Sequence, residues 1–356
     1  DAQEIYNFGG AAGYQMTIND SVDNYNFGNG AGQQIQVTNF SDIYNYGDLA
    51  GAQSFYYDAY DIFNFGGNAG RSAIFTNSFF SFNFGYEAGL FGVQQDSSRN
   101  FNFGYASGKS STLTNSSDIY NYGNQAGSTQ QLVYSHDIYN FGDIAGQGMK
   151  ATNSFDIFNI GTWAGLTMVA DTSLSLFNIG NQAGQGMYAT NTSDIYNIGA
   201  LTGIGMTATD SFGIFNYGDS AGTPMYAHTS FDIFNYGESS GQNMQATNST
   251  DLFNYGNFAG TLMATRDSSD IYNFGDNAGA GMSATNSDHI YNFGTSTGDS
   301  SKMAGAEIYN YGFYSGRLMA TDSQYLFNYG DNAGYQMIVT NSFDLFNYGL
   351  GAGYSM

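Results

Sequence analysis

The chain has 356 residues, of which 42% are hydrophobic, 17% aromatic and only 10% charged, a composition that excludes a disordered polyelectrolyte and supplies enough apolar side chains for a core. Thirty acidic residues against seven basic ones give a net charge of −23, which would repel a phosphate backbone and disfavours nucleic acid as a partner. The chain contains no cysteine, which excludes disulfides, thiolate catalysis and cysteine-ligated metals.

One short frame repeats along the whole chain: an Asn, a Gly two residues later and a second Gly four residues after that. Its nineteen copies run from Asn7 to Asn347 in steps of 19 residues, except for two steps of 18 that lead to Asn310 and Asn328. A fixed short period is typical of a solenoid, in which each repeat buries its apolar face only by stacking on its neighbours. We therefore predict a single all-β domain over residues 1–356, a β-solenoid of nineteen repeats without caps.

The first predicted strand surrounds the repeated Asn, which we define as position 0 of each repeat. Position −1 is Tyr or Phe in all nineteen copies, position +1 is aromatic in sixteen, and position −2 is Ile or Leu in sixteen. This alternation has the period of two that a β-strand requires, and no helical period fits so short a unit. One face of the strand thus carries Ile and Asn, and the other carries two aromatic residues.

Two interpretations of these faces are open. We favour Ile, Asn and Gly facing inward, because Ile packs well against Met and identical Asn side chains can hydrogen-bond to each other as a ladder. The aromatic residues would then form two exposed stripes. In the opposite interpretation the aromatic residues face inward, since leaving so many rings in water is costly. In either case the exposed stripe suggests lateral contact with another copy of the chain.

A tight turn and a second strand follow. Gly at +2 and +6 predicts a reversal that needs a positive φ or a close backbone approach. Met occupies +9 in twelve copies, and where +9 is small or polar the large side chain usually moves to +11, as in Ser54 with Tyr56 and Ala73 with Phe75. This exchange of volume predicts that +9 and +11 face a shared interior. Asn or Asp at +13 then predicts the return turn, which completes a rung of two strands and two turns.

Equivalent residues of successive rungs are therefore expected to stack on one another. The predicted structural ladder includes Asn7, Asn140, Asn159, Asn273, Asn347, Gly142, Gly146, Gly275, Gly279, Met149, Met168 and Met187.

Thirteen copies carry Asp or Glu at position −3. Neighbouring carboxylates stacked at the strand spacing repel each other by about 1 kcal/mol even in a water-like dielectric. One interpretation is a solvated column that limits sideways aggregation. The other is that protons or divalent cations neutralise the column and promote assembly, with like-charge stacking raising the carboxyl pKa values. The candidate cation ligands are Asp23, Asp42, Asp61, Asp232, Asp251 and Asp270.

The repeat pattern extends to both ends of the sequence. A second copy placed after Met356 would resume the repeat with only three residues missing, near a turn. A bare terminal rung exposes unpaired backbone groups, and such a contact propagates if it does not close into a ring. We therefore expect a head-to-tail homopolymer. Its assembly ends would be formed by Ile5, Tyr6, Phe8, Phe346, Tyr348 and Met356.

Residues 268–279, which read Ser-Ser-Asp-Ile-Tyr-Asn-Phe-Gly-Asp-Asn-Ala-Gly, resemble the curlin repeat of bacterial curli. A curlin unit reads roughly Ser, five residues, Gln-x-Gly, then Asn-x-Ala and a second Gln. Here Asn stands in place of the first Gln, and Met largely replaces the second. The resemblance covers the whole chain and implies a secreted protein whose strand-turn-strand rungs stack into functional amyloid fibres of a biofilm matrix.

Other functions are less consistent with the sequence. His136, His228 and His289 lie at different positions of distant repeats, so they cannot share a metal or a catalytic triad, and we expect each to be an isolated surface residue. We expect neither an enzyme nor a cofactor. The main alternatives are a monomeric solenoid that binds an extended surface such as ice or polysaccharide, and an adhesin stalk. The Thr column that ice binding would use is interrupted.

No apolar run approaches the roughly 20 residues of a membrane span, and no signal segment precedes Asp1. A secreted protein would therefore be seen here in its mature form. The sequence as a whole predicts a structural filament subunit located outside the cell or at its surface.

Overall fold

The structure is a computed structural model that describes residues 4–20, 22–315 and 318–353. The chain divides into two compact units, Asp1–Ile179 and Gly180–Met356. Every regular element in these described ranges is a β-strand, and each strand pairs in parallel with the equivalent strand of a neighbouring repeat. The fold is the β-solenoid that the repeat predicts.

In the first unit, odd-numbered strands contain the repeated Asn, and even-numbered strands follow the glycine turn. The strands are β1 (Glu4–Phe8), β2 (Thr17–Asn19), β3 (Asp23–Phe27), β4 (Gln36–Phe40), β5 (Ile43–Tyr46), β6 (Phe55–Ala59), β7 (Ile62–Phe65), β8 (Ile74–Thr76), β9 (Phe79–Phe84), β10 (Val93–Gln95), β11 (Ser98–Phe103), β12 (Thr112–Thr114), β13 (Ser117–Tyr122), β14 (Gln131–Val133), β15 (His136–Phe141), β16 (Lys150–Thr152), β17 (Phe155–Ile160), β18 (Val169–Asp171) and β19 (Leu174–Ile179).

The second unit repeats this alternation, with two additional short strands near its end. Its strands are β20 (Tyr188–Thr190), β21 (Ser193–Ile198), β22 (Met206–Thr209), β23 (Phe212–Tyr217), β24 (Met225–His228), β25 (Phe231–Tyr236), β26 (Gln245–Thr247), β27 (Thr250–Tyr255), β28 (Ala264–Arg266), β29 (Ser269–Phe274), β30 (Ser283–Thr285), β31 (Asp288–Phe293), β32 (Ser296–Thr297), β33 (Ser301–Ala304), β34 (Ile308–Tyr311), β35 (Tyr314–Ser315), β36 (Leu318–Thr321), β37 (Leu326–Tyr329), β38 (Ile338–Thr340) and β39 (Leu345–Tyr348).

The strand register places identical positions of neighbouring repeats opposite each other. In β15 and β17, Ile138 faces Ile157 and Asn140 faces Asn159. The corresponding second strands, β16 and β18, pair Ala151 with Ala170. Equivalent positions of successive repeats therefore stack along each column, as the fixed period predicts.

The favoured orientation of the first strand is confirmed. Ile138, Asn140 and Met149 are fully buried, and Ala151 is only 1% exposed. The exchange of volume between +9 and +11 is also confirmed, because Ser54 with Tyr56 and Ala73 with Phe75 are all buried. Tyr56 and Phe75 stack on each other with ring centroids 5.0 Å apart.

The prediction that +9 faces inward is wrong for Met319, which is 48% exposed. Ser301, at +9 of its own repeat, pairs with Leu318, at +8 of the next. One residue has therefore been lost from the first turn of that repeat, and Leu318 takes the inward place. Because strand side chains alternate between faces, the loss turns Met319 outward. In this turn, β35 forms a short extra pairing with β32, which lies in the first turn of the preceding repeat.

Candidate functional site

The central feature of the interior is a continuous ladder of Asn side chains in each unit. In the first unit, Nδ2 of every repeated Asn from Asn7 to Asn159 donates to Oδ1 of the next, at 2.8 to 2.9 Å. In the second unit, the same bonds run from Asn197 through Asn273 to Asn347. Mutual pairing satisfies amides that would otherwise be costly to bury.

The two repeated glycines leave room for this ladder in different ways. A Cβ on Gly142 would lie 1.6 Å from the carbonyl oxygen of Gly123 in the preceding rung, so the +2 position needs a close backbone approach. Gly146 has a φ of +63°, and a Cβ there would lie 2.2 Å from Oδ1 of Asn159. Both reasons for glycine that the sequence suggested are therefore present, one at each position.

Methionine sulfur atoms lie beside the Asn ladder. Asn140 Nδ2 is 4.0 Å from Sδ of Met149, and Asn159 Nδ2 is 3.9 Å from Sδ of Met168. Met149, Met168 and Met187 are fully buried, as predicted.

A second inward column, of Ser or Thr at position −5, was not assigned from the sequence. The backbone N–H of Ser116 donates to Oγ of Ser135 in the next rung at 3.3 Å, and Oγ of Ser116 donates to the carbonyl of Thr114 at 2.9 Å. Ser135 and Ser154 continue the pattern. The recurrence of Ser or Thr in most copies was the available signal. Its inward direction was hidden because the chain bends between −5 and −2.

That bend lies at position −3, and it gives the acidic column a structural cause. Asp42, Asp61, Asp232, Asp251 and Asp270 all have φ between +49° and +56°. Asp and Asn adopt this left-handed conformation more readily than most residues, because their short polar side chains can bond locally. The preference for Asp at −3 therefore follows in part from backbone geometry.

The electrostatic prediction for the acidic column needs a correction. The pKa of Asp42 is raised above 3.8, and that of Asp251 is raised in the same way, but burial is the largest cause. The neighbouring charges come second, from Asp61 and Asp23 on Asp42 and from Asp232 and Asp270 on Asp251. No group of three or more His, Asp or Glu residues able to hold a metal occurs in the described ranges.

Two of the histidines are not isolated, contrary to the sequence-based expectation. Nδ1 of His136 lies 2.8 Å from Oδ2 of Asp137. His289 occupies position −3, where its ring nitrogens lie 3.4 Å from both Asp270 and Glu307. The two histidines lie in different repeats and bring no common site together. His228 is exposed on β24.

Two aromatic columns cover the outer face of the first strands. Tyr120 and Tyr139 at −1 stack with centroids 4.8 Å apart and planes 4° apart, and Tyr122 and Phe141 at +1 do the same. The expectation of two exposed stripes holds only in part, because some +1 side chains such as Tyr122 are exposed while others such as Phe141 are half-buried. The −1 rings are half-buried in the interior rungs, and burial followed by the nearby Asp charges raises the pKa of Tyr139.

The predicted assembly ends lie on strands with one partner each. In the part of the chain that the structure describes, β1 pairs only with β3, and β39 pairs only with β37. Ile5 and Leu345 are half-buried, while Tyr6, Phe8, Phe346 and Tyr348 are between 53% and 74% exposed. Met356 lies outside the described residues.

The fold and its side-chain columns define a β-solenoid repeat protein. The sequence matches no protein-family model and no curated protein. Among solved structures, the chain is similar to QnrB1, a plasmid-mediated fluoroquinolone resistance protein, with 9% identity and a TM-score of 0.13 over 70% of this chain and 83% of that one. It is also similar to HetL, a pentapeptide repeat protein involved in heterocyst differentiation regulation from a Nostoc cyanobacterium, with 6% identity and a TM-score of 0.12 over 80% and 85%. At these TM-scores the two proteins say nothing about the function of this chain.

Among the described residues, no helix is long and apolar enough to cross a membrane.

Proposed function

We propose that this protein is the structural subunit of a filament in which copies join head to tail by stacking their terminal rungs. The observation that carries the proposal is the match between the outer edges of β1 and β39. Ile5, Tyr6, Asn7 and Phe8 on one edge correspond in position and type to Leu345, Phe346, Asn347 and Tyr348 on the other. Inside the protein, residues of these types already stack on each other in β37 and β39.

Stacking of two copies would bury apolar side chains of the terminal rungs that are exposed there, whereas the equivalent side chains of interior rungs are more buried. Phe8 is 74% exposed, whereas Phe27, one rung inward, is 36% exposed. Tyr6 is 56% exposed and its neighbour Tyr25 is half-buried. Within each unit every Asn of the ladder donates to the Asn of the next repeat, as Asn7 does to Asn26 and Asn328 does to Asn347, so a ladder continued into a second copy would keep its polarity. Burial of such side chains, at about 25 cal/mol per Å², together with new backbone pairing, would drive the association.

The proposal extends to location and regulation. The resemblance to curlin repeats supports a secreted, matrix-forming filament, and the aromatic columns offer lateral contacts between filaments. The acidic column would oppose such lateral contacts by like-charge repulsion, so low pH or cations that neutralise Asp42 and its neighbours would favour bundling.

The test places a charge on one inward edge at a time. The chain should form unbranched filaments in negative-stain images. Ile5→Lys and Leu345→Lys should each abolish filaments, because an inward-pointing charge blocks edge pairing. Mixed together, the two variants should form dimers and nothing longer, because one retains a competent β39 edge and the other a competent β1 edge. Analytical ultracentrifugation would measure this.

The matched control is Tyr134→Lys, which adds the same charge at an exposed turn residue, 59% exposed. This variant should form filaments, and all variants should keep the β-type circular dichroism spectrum. Wild-type chain that remains monomeric at high concentration, or edge variants that polymerise normally, would contradict the proposal.

A monomeric ice-binding solenoid is less well supported by the geometry. The Thr column at +12 runs Thr190, Thr209, His228, Thr247, Arg266 along β20 to β28, so larger charged or ring side chains interrupt it. Thermal hysteresis would be the measurement that distinguishes this function.

A further inference from the structure

The outer face of the second strands carries aromatic residues that, unlike those at −1 of the first strands, do not form a continuous column. In the second unit, position +10 is Tyr188 on β20, Thr207 on β22 and Tyr226 on β24, in parallel register. Tyr188 is 57% exposed and Tyr226 is 45% exposed. Thr207 is half-buried between them. The column thus has a ring, a gap and a second ring.

The width of the gap is set by strand spacing. Neighbouring strands lie about 4.8 Å apart, so Tyr188 and Tyr226 are separated by about 9.6 Å along the column. Rings on adjacent strands of this protein stack with centroids 4.8 Å apart for Tyr196 and Phe215 and 4.9 Å apart for Phe215 and Phe234. One ring inserted above Thr207 would therefore lie at normal stacking distance from both tyrosines.

The ring faces distinguish this gap from the other aromatic surfaces. In the interior of the −1 column each ring face is covered by the next ring, as for Tyr120 and Tyr139, so only edges and hydroxyl groups remain for a ligand there. At +10, the strand that separates Tyr188 from Tyr226 carries only a Thr side chain. Rings that stack in this protein face along their column, as Tyr196, Phe215 and Phe234 do, so Tyr188 and Tyr226 turned in the same way would each present one face to a ligand in the gap.

The surroundings indicate a neutral ligand rich in hydroxyl groups. The adjacent outward residues at +12 of the same three strands are Thr190, Thr209 and His228, which offer hydroxyl and imidazole hydrogen-bonding groups. No acidic residue lies among these six outward positions, although the chain has thirty. Aromatic walls with a few convergent polar groups are typical of small-molecule sites.

We propose that Tyr188, Thr207 and Tyr226 form a slot that binds one pyranose ring of a neutral oligosaccharide. A pyranose presents C–H groups on its two faces, which the negative faces of aromatic rings attract, and hydroxyl groups around its rim. The rings of Tyr188 and Tyr226 sandwich the sugar. The hydroxyl of Thr207 forms the floor, and Thr209 and His228 bond the rim. In a matrix filament this slot would attach the protein to polysaccharide.

The test uses the full chain and a panel of neutral probes: cellotetraose, maltotetraose and chitin tetraose. Saturation-transfer NMR and isothermal titration calorimetry should show binding of at least one. Tyr188→Ala and Tyr226→Ala should each weaken that binding at least tenfold. Thr207→Tyr should abolish it, because the new ring fills the gap and completes a column of the kind that the protein already contains.

Tyr134→Ala is the matched control, since it removes an equally exposed tyrosine from a turn elsewhere, and it should change affinity less than twofold. Circular dichroism establishes that each variant is folded. The proposal is overturned if no probe binds, or if Thr207→Tyr leaves sugar binding intact. It is also overturned if the gap takes the planar dye thioflavin T in a Thr207-dependent way but none of the sugars.

Discussion

At the scale of the residue, the inward face accepts a polar side chain only where the neighbouring rungs supply its partner. Asn26 is fully buried and bonds to Asn7 and Asn45. Asn24, two residues earlier, is also fully buried, but both atoms of its amide lack a hydrogen-bond partner. Its neighbours in the column are Ile5 and Ile43. The same residue type therefore stabilises one position and destabilises the other.

Asn24→Ile should stabilise the protein by about 2 to 4 kcal/mol, because it removes an unpaired buried amide and restores the Ile column. Asn26→Ile is the matched control, and it should destabilise, since it leaves Asn7 and Asn45 without their shared partner. The midpoint of guanidinium denaturation measures both. Two variants that shift the midpoint in the same direction would contradict this account.

A pH dependence also belongs to this scale. The pKa of Asp42 is raised in the folded state, so its contribution favours folding below its unfolded value of 3.8 and is lost as pH rises through the folded value. Asp42→Asn removes this loss and keeps a residue suited to a φ of +49°. The variant should therefore gain stability relative to wild type as pH rises from below 3.8 towards neutrality.

Ser175→Asn is the control for that experiment. It introduces Asn at the equivalent left-handed position, with a φ of +54°, without changing a titratable group. Its difference from wild type should be independent of pH. If the Asp42→Asn difference were also constant across the range, the carboxyl would have no role in the pH dependence.

At the scale of the element, each rung contains residues with a left-handed backbone conformation. These residues differ in how closely neighbouring atoms approach the position that a Cβ would occupy. Gly146 and Gly148 both have positive φ, at +63° and +62°. A Cβ on Gly148 would lie 3.5 Å from Cγ2 of Thr129, which is an ordinary contact, whereas one on Gly146 would overlap the amide of Asn159. Substituting the two glycines of this turn in separate variants therefore distinguishes the cost of backbone strain from the cost of steric overlap.

Gly148→Ala should cost about 1 to 2 kcal/mol, the strain of a left-handed alanine. Gly146→Ala should cost about 1 to 3 kcal/mol more, because it also displaces a buried Asn from its ladder. Guanidinium denaturation midpoints would compare the two variants, and equal costs would show that Asn159 can move aside without penalty.

The elements also show what the sequence could predict. Alternation at Ile138, Tyr139 and Asn140 was enough to assign the strand but left two interpretations of its inward face, of which the favoured one is confirmed. The exchange between Ser54 and Tyr56 was enough to orient the second strand. The inward direction of Ser116 was not predictable from a period of two, because a left-handed residue at −3 interrupts the alternation. Met319 was assigned wrongly because its position depends on which turn had lost a residue.

The reason for Asp at position −3 could likewise not be predicted from the sequence, because it is the left-handed backbone conformation at that position and not a contact with another residue. The slot between Tyr188 and Tyr226 could not be recognised before the register was known, because it depends on which rings are absent from a column. The sequence was enough to predict the repeated strands, whereas the positions that depart from the repeat, such as Met319, could be interpreted only once the strand register was known.

At the scale of the whole molecule, the proposed filament depends on edges that match one another. The Asn bonds repeat at 2.8 to 2.9 Å within both units, and the residues of β1 and β39 are of the same types as those between them. The filament proposal and the sugar slot use different surfaces, the first the outer edges of β1 and β39 and the second the outward face of β20, β22 and β24. Failure of either would leave the other intact.

The seam between one rung and the next is the same wherever both rungs are regular. A duplication or deletion of one 19-residue segment, such as the step from Asn140 to Asn159, would therefore join surfaces that already fit. Recombination between near-identical stretches of the gene could therefore change the length of the protein without requiring any new type of side-chain contact. Chain length in this lineage would then be set by the history of such exchanges and by demand for reach, while the fold imposes no preferred number of copies.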